Sequence, residues 1–454
     1  MLKEALFGSH RDFTEGSLNS AIVLLAIPMI LEMMMESLFG IVDVFFVSRL
    51  GANAVATVGY TESLLTLIFG VAIGLSMATT AFVARRIGEK DPEGASDAAV
   101  QAIALGLIFS VAVGIIGVVS ARSLLGLMGA TPEVIANARY TQTMLGGSLV
   151  IFMLFLINAI FRGAGDASLA MRTLWLANAI NIVLDPCLIN GWGPFPHLGV
   201  QGAAIATTTG RGIGVLFQLW QLGNGKNRIM VRAPQVRFHF GLMLRMLRVS
   251  ATGIIQFLVA TASWLGLMRI ISTFGSAAVA GYTIAIRMII FTILPSWGFS
   301  NSAATLVGQN LGAGKPGRAE SAVYRTAWFN MLYLGLVSIA FLFFPAPLVA
   351  FFTTDPRVVQ VAVDCLSIFA VGYMTYAWGM VLVQAFNGAG DTMTPTLMNL
   401  VAFWAIQLPL SYLLGVKLSY GVRGAFWAVP IADLSLTIMA LVMFRRGAWK
   451  KQRI

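Results

Sequence analysis

The chain is short of the groups that soluble proteins and enzymes rely on. Only 11% of its 454 residues are charged, about half the share usual in soluble domains. It has two cysteines, Cys187 and Cys365, and three histidines, His10, His197 and His239. Two cysteines make neither a disulfide framework nor a metal quartet, and both lie in or near apolar stretches, where a thiol packs as a small hydrophobe. The histidines fall in loops, termini or connectors. No nucleophile–histidine pairing and no zinc-type His/Glu motif is present, which argues against a membrane-embedded enzyme. No cofactor is expected. Nor does any small-residue cleavage site follow the first apolar stretch, which therefore reads as a spanning helix and not as a removable signal.

What the chain has in abundance is apolar surface, at 58% of residues. A helix needs about 20 apolar residues to cross a bilayer. Twelve such stretches are predicted, at 21–47, 58–84, 95–119, 137–161, 168–190, 199–221, 249–272, 278–304, 319–344, 359–385, 394–415 and 424–444. The expected fold is therefore all-α and membrane-integral. The net charge of +11 invites a nucleic-acid reading, but its distribution opposes one. With the N-terminus inside, twenty of the thirty Lys and Arg fall in cytoplasmic segments and six in outer loops. Arg172, Arg211, Arg269 and Arg287 fall within spans. This positive-inside bias predicts that both termini are cytoplasmic, in a plasma (cell inner) membrane. The expected partners are the lipid bilayer and small organic molecules, with no nucleic acid and the chain acting as a monomer.

The chain is also written twice. LGANAVA (50–56) returns as FGSAAVA (274–280), RRIGEKDPEGA (85–95) as QNLGAGKPGRA (309–319), and TPEV (131–134) as DPRV (355–358). RGAGD (162–166) returns as NGAGD (387–391), and GVQGAA (199–204) as GVRGAF (421–426). Six spans per repeat is an even number, so both repeats enter the membrane in the same sense, related by an axis along its normal. The expected organisation is a six-helix lobe at 1–221, a basic cytoplasmic connector containing Pro234 at 222–248, and a second six-helix lobe at 249–454, around a central cleft. The GAGD turns follow helices 4 and 10. Their glycines permit a left-handed helix end, and Asp166 or Asp391 can cap the next helix. A phosphate-binding reading fails because no Lys-Ser/Thr follows and no strand precedes.

Charges inside spans are costly and mark ion or substrate paths. Glu32, Glu36 and Asp43 lie within about 40° of one another on helix 1. Pro28, upstream, removes a backbone donor and should bend that helix as a hinge. On helix 5, Asn181 and Asp185 share a face with i, i+4 spacing, beside Asn178. Thr207 on helix 6 falls at a similar depth. Two carboxylates, an amide and a hydroxyl can hold a shared proton or cage a sodium ion with oxygens. The mirror positions in the second lobe are neutral, Leu267 for Asp43 and Pro409 or a neighbour for Asp185, so the first lobe is expected to handle the ion. The second lobe offers Gln256, Ser263, Trp264, Tyr373, Tyr376, Trp378 and Gln384 as cleft wall. Met33, Met34 and Met35 flank the acids and suit amphipathic cations. Arg211 and Asp433 occupy equivalent places in the two lobes.

These segments, with FRGAGDAS (161–168) and NAINIVLDPCLI (178–189), resemble the multidrug and toxic compound extrusion (MATE) family over nearly the whole chain. The resemblance implies antiport, in which proton or sodium entry drives export of drugs or toxic organic molecules through a V-shaped cleft between two bundles. It implies that Asp43, Asn181, Asp185 and Thr207 form the cation network, and that Glu36 and Asn158 line the first-lobe cavity. Another branch carries acids on helices 7 and 10 for sodium, where this chain has Ala260 and Tyr376. A lipid-linked precursor flippase of a related superfamily is the alternative, but it would be expected to line its cavity with arginines.

Overall fold

The computed structural model describes residues 1–9, 11–225, 227–231 and 236–454, with Val44 described by its backbone alone. His10, Lys226 and Pro234 therefore lie outside the described residues. Twelve long helices run through the described residues. The first six are α1 (Leu18–Ser48), α2 (Ala52–Gly88), α3 (Pro92–Leu127), α4 (Ala138–Ala164), α5 (Ala167–Asn190) and α6 (Val200–Gly223). The second six are α7 (Phe240–Ser272), α8 (Ser276–Gly312), α9 (Pro316–Phe343), α10 (Pro356–Ala389), α11 (Met393–Lys417) and α12 (Gly421–Arg446). Eleven of them are long and apolar enough to cross a membrane. The exception is α6, whose Gln201, Thr207, Thr208, Thr209, Arg211 and Gln218 dilute its apolar character. Its buried polar face is spent inside the first bundle.

Several helices outrun the predicted spans. α2 and α8 each have 37 residues, about 55 Å at 1.5 Å per residue, against a hydrocarbon core about 30 Å thick. The connector is correspondingly short, because α6 continues to Gly223 and α7 starts at Phe240. Both GAGD turns end their helices on a left-handed glycine, Gly165 at φ 89° and Gly390 at φ 88°. Asp391 caps α11 by accepting from the Thr394 backbone N–H at 3.1 Å, while its counterpart Asp166 accepts from the Arg228 backbone N–H at 3.2 Å. In α11 the winding widens to π-helix on both sides of Pro409, at Leu400–Gln407 and Leu413–Lys417. A proline that cannot donate disturbs the regular ladder there.

The two bundles meet where α1 packs on α8 and α2 packs on α7 and α8. They are sealed at the end that carries the termini. A Cβ on Gly88 would fall 1.9 Å from the Gln309 carbonyl oxygen, and one on Gly312 would fall 2.1 Å from that of Arg85. Glycine is what permits this backbone approach. Two straps cross the same end. Arg318 donates to the Glu15 carbonyl at 2.7 Å, and Arg85 to the Gln452 carbonyl at 2.8 Å. Towards the opposite end the helices diverge. There α2 buries Ala54, Thr57, Val58, Thr61 and Leu65 against its own bundle, and α8 buries Ala278, Gly281, Tyr282, Ala285 and Ile289 against its own. Their other faces are largely open. The molecule is a V closed at the terminal-bearing end.

This seal makes a prediction. Gly88→Ala cannot be accommodated without parting α2 from α8, a cost of about 1–3 kcal/mol for overpacking. The variant should melt several degrees lower in detergent, and a thiol placed on the inner half of α8 should become reactive from the terminal-bearing side.

Candidate functional site

The first bundle holds a buried polar network built from α1, α4, α5 and α6. At its inner level Glu32, 1% exposed, accepts from Arg162 at 2.8 Å and from the Asn158 amide at 3.1 Å. Asn158 in turn accepts from Gln218 at 2.6 Å. Arg162, near the end of α4, reaches back into the protein to make this pair. One level further out Arg211 donates to Glu36 at 3.0 Å and lies 5.2 Å over the Phe39 ring. Beyond that, Asn181 donates through one amide nitrogen to Asp185 at 3.3 Å and to Thr207 at 3.1 Å. Asp185 is wholly buried and Asn181 nearly so.

Asp43 is half-buried at the outer end of the network. No hydrogen bond joins it to Asp185 among the described residues, but the two carboxylates are close enough to interact electrostatically. Glu62 and Arg211 also lie within electrostatic range of Asp43. Tyr140 of α4, which sequence reasoning missed, is buried and within electrostatic range of Asp43, Glu62, Asp185 and Arg211. Nothing in local sequence marks it, since a tyrosine in an apolar helix reads as packing.

The network carries more acceptors than donors. Among the described residues, buried oxygens of Glu32 (Oε2), Glu36 (Oε2), Asn178 (Oδ1), Asn181 (Oδ1) and Asp185 (Oδ2) have no hydrogen-bond partner, against one unpaired donor, Nε of Arg211. Unsatisfied buried polar atoms are rare in native proteins, and each calls for an explanation. An added proton or cation would supply what these oxygens lack. No group of three or more His, Cys, Asp or Glu suited to a metal ion is present among the described residues, so a sodium ion here would depend on amide, hydroxyl and backbone oxygens.

The remaining expected residues fall into place around this group. Met33 and Met35 are half-buried and Met34 is exposed beside the acidic face. Pro28 is buried in the inner half of α1. Immediately beyond it, α5 holds the α1 backbone: Trp175 donates to the Leu31 carbonyl at 3.2 Å and Asn178 to the Met35 carbonyl at 3.3 Å. The equivalence of Arg211 and Asp433 resolves asymmetrically. Arg211 pairs with Glu36, whereas the mirror of Glu36 is Ala260 and Asp433 makes no ion pair among the described residues.

Twelve helices in two repeats, a V between them and a buried acidic network on one side define a membrane transporter. The MatE family profile matches residues 28–187 and 253–413, more than half of the chain and once in each repeat. The chain belongs to the MATE family. A probable multidrug resistance protein, NorM, from Thermotoga maritima is 27% identical over 95% of this chain and 93% of its own length. An FAD transporter from Shewanella oneidensis is also 27% identical, over 93% of each chain. A crystal structure of MATE in complex with MaL6 superposes with a TM-score of 0.91 at 27% identity, covering 97% of this chain and 98% of that one. The protein is thus a multi-pass membrane transporter and not an enzyme.

Proposed function

We propose that the transporter exports amphipathic organic cations in exchange for protons, with Asp43, Asn181, Asp185 and Thr207 as the coupling site. The observation that supports this most is the surplus of buried acceptors around Asp185. A proton on the Asp43/Asp185 pair relieves that surplus and removes one negative charge. The hydrogen-bond pattern favours a proton over sodium, because the Asn181 amide already directs its N–H atoms at Asp185 and Thr207, where a sodium ion would be repelled. The basic connector and termini support an orientation with the sealed end in the cytoplasm of a plasma membrane, so the cleft here faces outward. One chain supplies both walls, so the monomer is a complete unit.

The exchange then follows from mass action. A ligand shifts a two-state protein only by binding one state better than the other. Protons entering from outside neutralise the Asp43/Asp185 pair, weaken its hold on a cation and free the substrate outward. Return to the inward-facing state releases the protons and restores the negative site. Glu32, Met33 and Asn158 line the inner part of this path, and Glu36 the middle. The export of anions, or a flippase handling phosphates, would call for uncompensated arginines in the cavity. Arg162 and Arg211 are both neutralised by glutamates, and Arg287, in the outer cleft, lies within electrostatic range of the acid Glu62. The test is the purified protein in liposomes loaded with ethidium, a monocationic dye. Efflux driven by an imposed pH gradient supports the reading. Efflux driven only by a sodium gradient overturns the ion, and transport of FAD instead of ethidium overturns the substrate class.

Pro28 makes a prediction of its own. The ring leaves the Leu24 carbonyl without its helical donor, which loosens α1 just before the α5 contacts begin. Pro28→Ala restores the ladder and removes the hinge by which α1 responds to the acids beyond it. Export should fall at least tenfold while the melting temperature stays level or rises. Full transport with unchanged pH dependence would remove the hinge from the mechanism.

A further inference from the structure

Glu62 on α2 lies within electrostatic range of Asp43 but makes no side-chain hydrogen bond into the network among the described residues, and Arg287 on α8 belongs to the other bundle. Each is exposed although it lies within a predicted span. Neither makes an ion pair or a side-chain hydrogen bond to another residue among the described residues. Charged groups at such depth need water or a partner. Their placement on the helices shows where they point. Glu62 lies six turns above Ala84 on α2, offset by about 40°, and Ala84 packs on Gly308 of α8 within the inner seal. Arg287 lies three turns above Gly298 on α8, offset by about 20°, and Gly298 packs on Met29 and Ile30 of α1. Both side chains therefore stand on the faces that touch the opposite bundle further down, at a level where the bundles have parted. Their depths agree as well. The repeat offset carries Glu62 to Ile286, the neighbour of Arg287, so the two differ by about one residue's rise, some 1.5 Å. The charges already lie within electrostatic range across the cleft.

We propose that Glu62 and Arg287 form the outer gate, an ion pair made when the outer halves of α2 and α8 close and broken in the outward-open state seen here. Alternating access exchanges one sealed end for the other. The inner seal is backbone against glycine and holds by shape. The outer halves lack such glycine contacts, and a pair of opposite charges gives them a contact that forms only on closure and comes apart readily in water. Removing either charge disfavours the closed outer end by up to about fivefold, and reversing one makes like charges meet there.

The experiment uses the full chain in liposomes, with Cys187 and Cys365 replaced by Ala. Glu62→Cys with Arg287→Cys should form a disulfide on mild oxidation, which needs Cα atoms within about 7 Å. The bond should halt ethidium efflux, and reduction should restore it. Arg287→Glu should cut efflux several-fold with an unchanged melting temperature, and Glu62→Arg combined with Arg287→Glu should recover most of it. Failure of the cysteine pair to crosslink, or of the charge swap to recover a loss seen in both single variants, overturns the gate. Full efflux from both Glu62→Gln and Arg287→Gln overturns it too. Crosslinking is read on the protein alone, so the outcome does not depend on which ion drives export.

Discussion

Asp43→Asn will abolish gradient-driven efflux while leaving a folded protein in the membrane. Asparagine mimics a permanently protonated aspartate: it keeps the volume and hydrogen-bonding capacity but cannot release or regain a proton. Among the described residues Asp43 has no hydrogen-bonded partner whose loss would unfold the bundle, so the melting temperature should move little. The loss in proton-driven ethidium efflux should be at least a hundredfold, that is about 2.7 kcal/mol at 1.36 kcal/mol per decade. Asp185→Asn should lose nearly as much, because the two carboxylates act on one charge. The double variant should be little worse than either single, as for residues that work as a unit. Passive exchange of labelled for unlabelled ethidium should survive in the single variants, since it needs cavity and rocking but no net proton movement. Leu267→Asp, at the mirror position in the second bundle, should not restore coupling to Asp43→Asn, because no counterpart of the Asn181/Asp185/Thr207 network faces it. Uphill efflux by Asp43→Asn at the normal rate would remove Asp43 from the coupling site.

How far the sequence could be read depended on the range of the interaction. Spanning helices announce themselves through runs of apolar residues, and the duplication through recurring turn residues, so the twelve-helix organisation was visible. Asn181 and Asp185 were visible for the same reason: i, i+4 spacing on one helix puts them on one face, and they are hydrogen-bonded. The partners of Glu32 and Glu36 lie on other helices, 130 and 175 residues away, and nothing local reports such a distance. Arg162 adjoins the GAGD turn at the inner end of its helix, yet its long side chain carries the charge back into the bundle. Helix ends were misjudged in one direction. α2 and α8 continue as polar helices past the membrane core, and a hydropathy window ends where the lipid would. One acid between Thr61 and Ser63 carries no local mark of a role in the cleft. Only the phase of α2 against the sealed inner half shows that it faces the cleft.

The second large effect is expected at the Glu36–Arg211 pair, where stability and transport should separate. Arg211 is 7% exposed and Glu36 29% exposed by side chain, so the pair is more desolvated than a surface bridge and less so than a core one. Removing the guanidinium in Arg211→Met leaves Glu36 without its counter-charge. Breaking a fully buried pair costs about 3–5 kcal/mol, and the partial exposure of Glu36 places this case nearer 2 kcal/mol, a drop of about 2 °C in melting temperature for a chain of this length. Glu36→Gln with Arg211→Met removes both charges and should regain most of that loss, since a buried pair adds little net stability over neutral groups. Export should not return with it. Glu36 keeps its Oε2 free of protein donors in the middle of the path, and Arg211 is the one cation of the network within range of Asp43. A double variant that melts like the parent yet exports ethidium at less than a tenth of its rate would assign the pair to transport. If the double variant melts normally and exports normally, Glu36 and Arg211 only hold α1 against α6, and the substrate path lies elsewhere in the cleft.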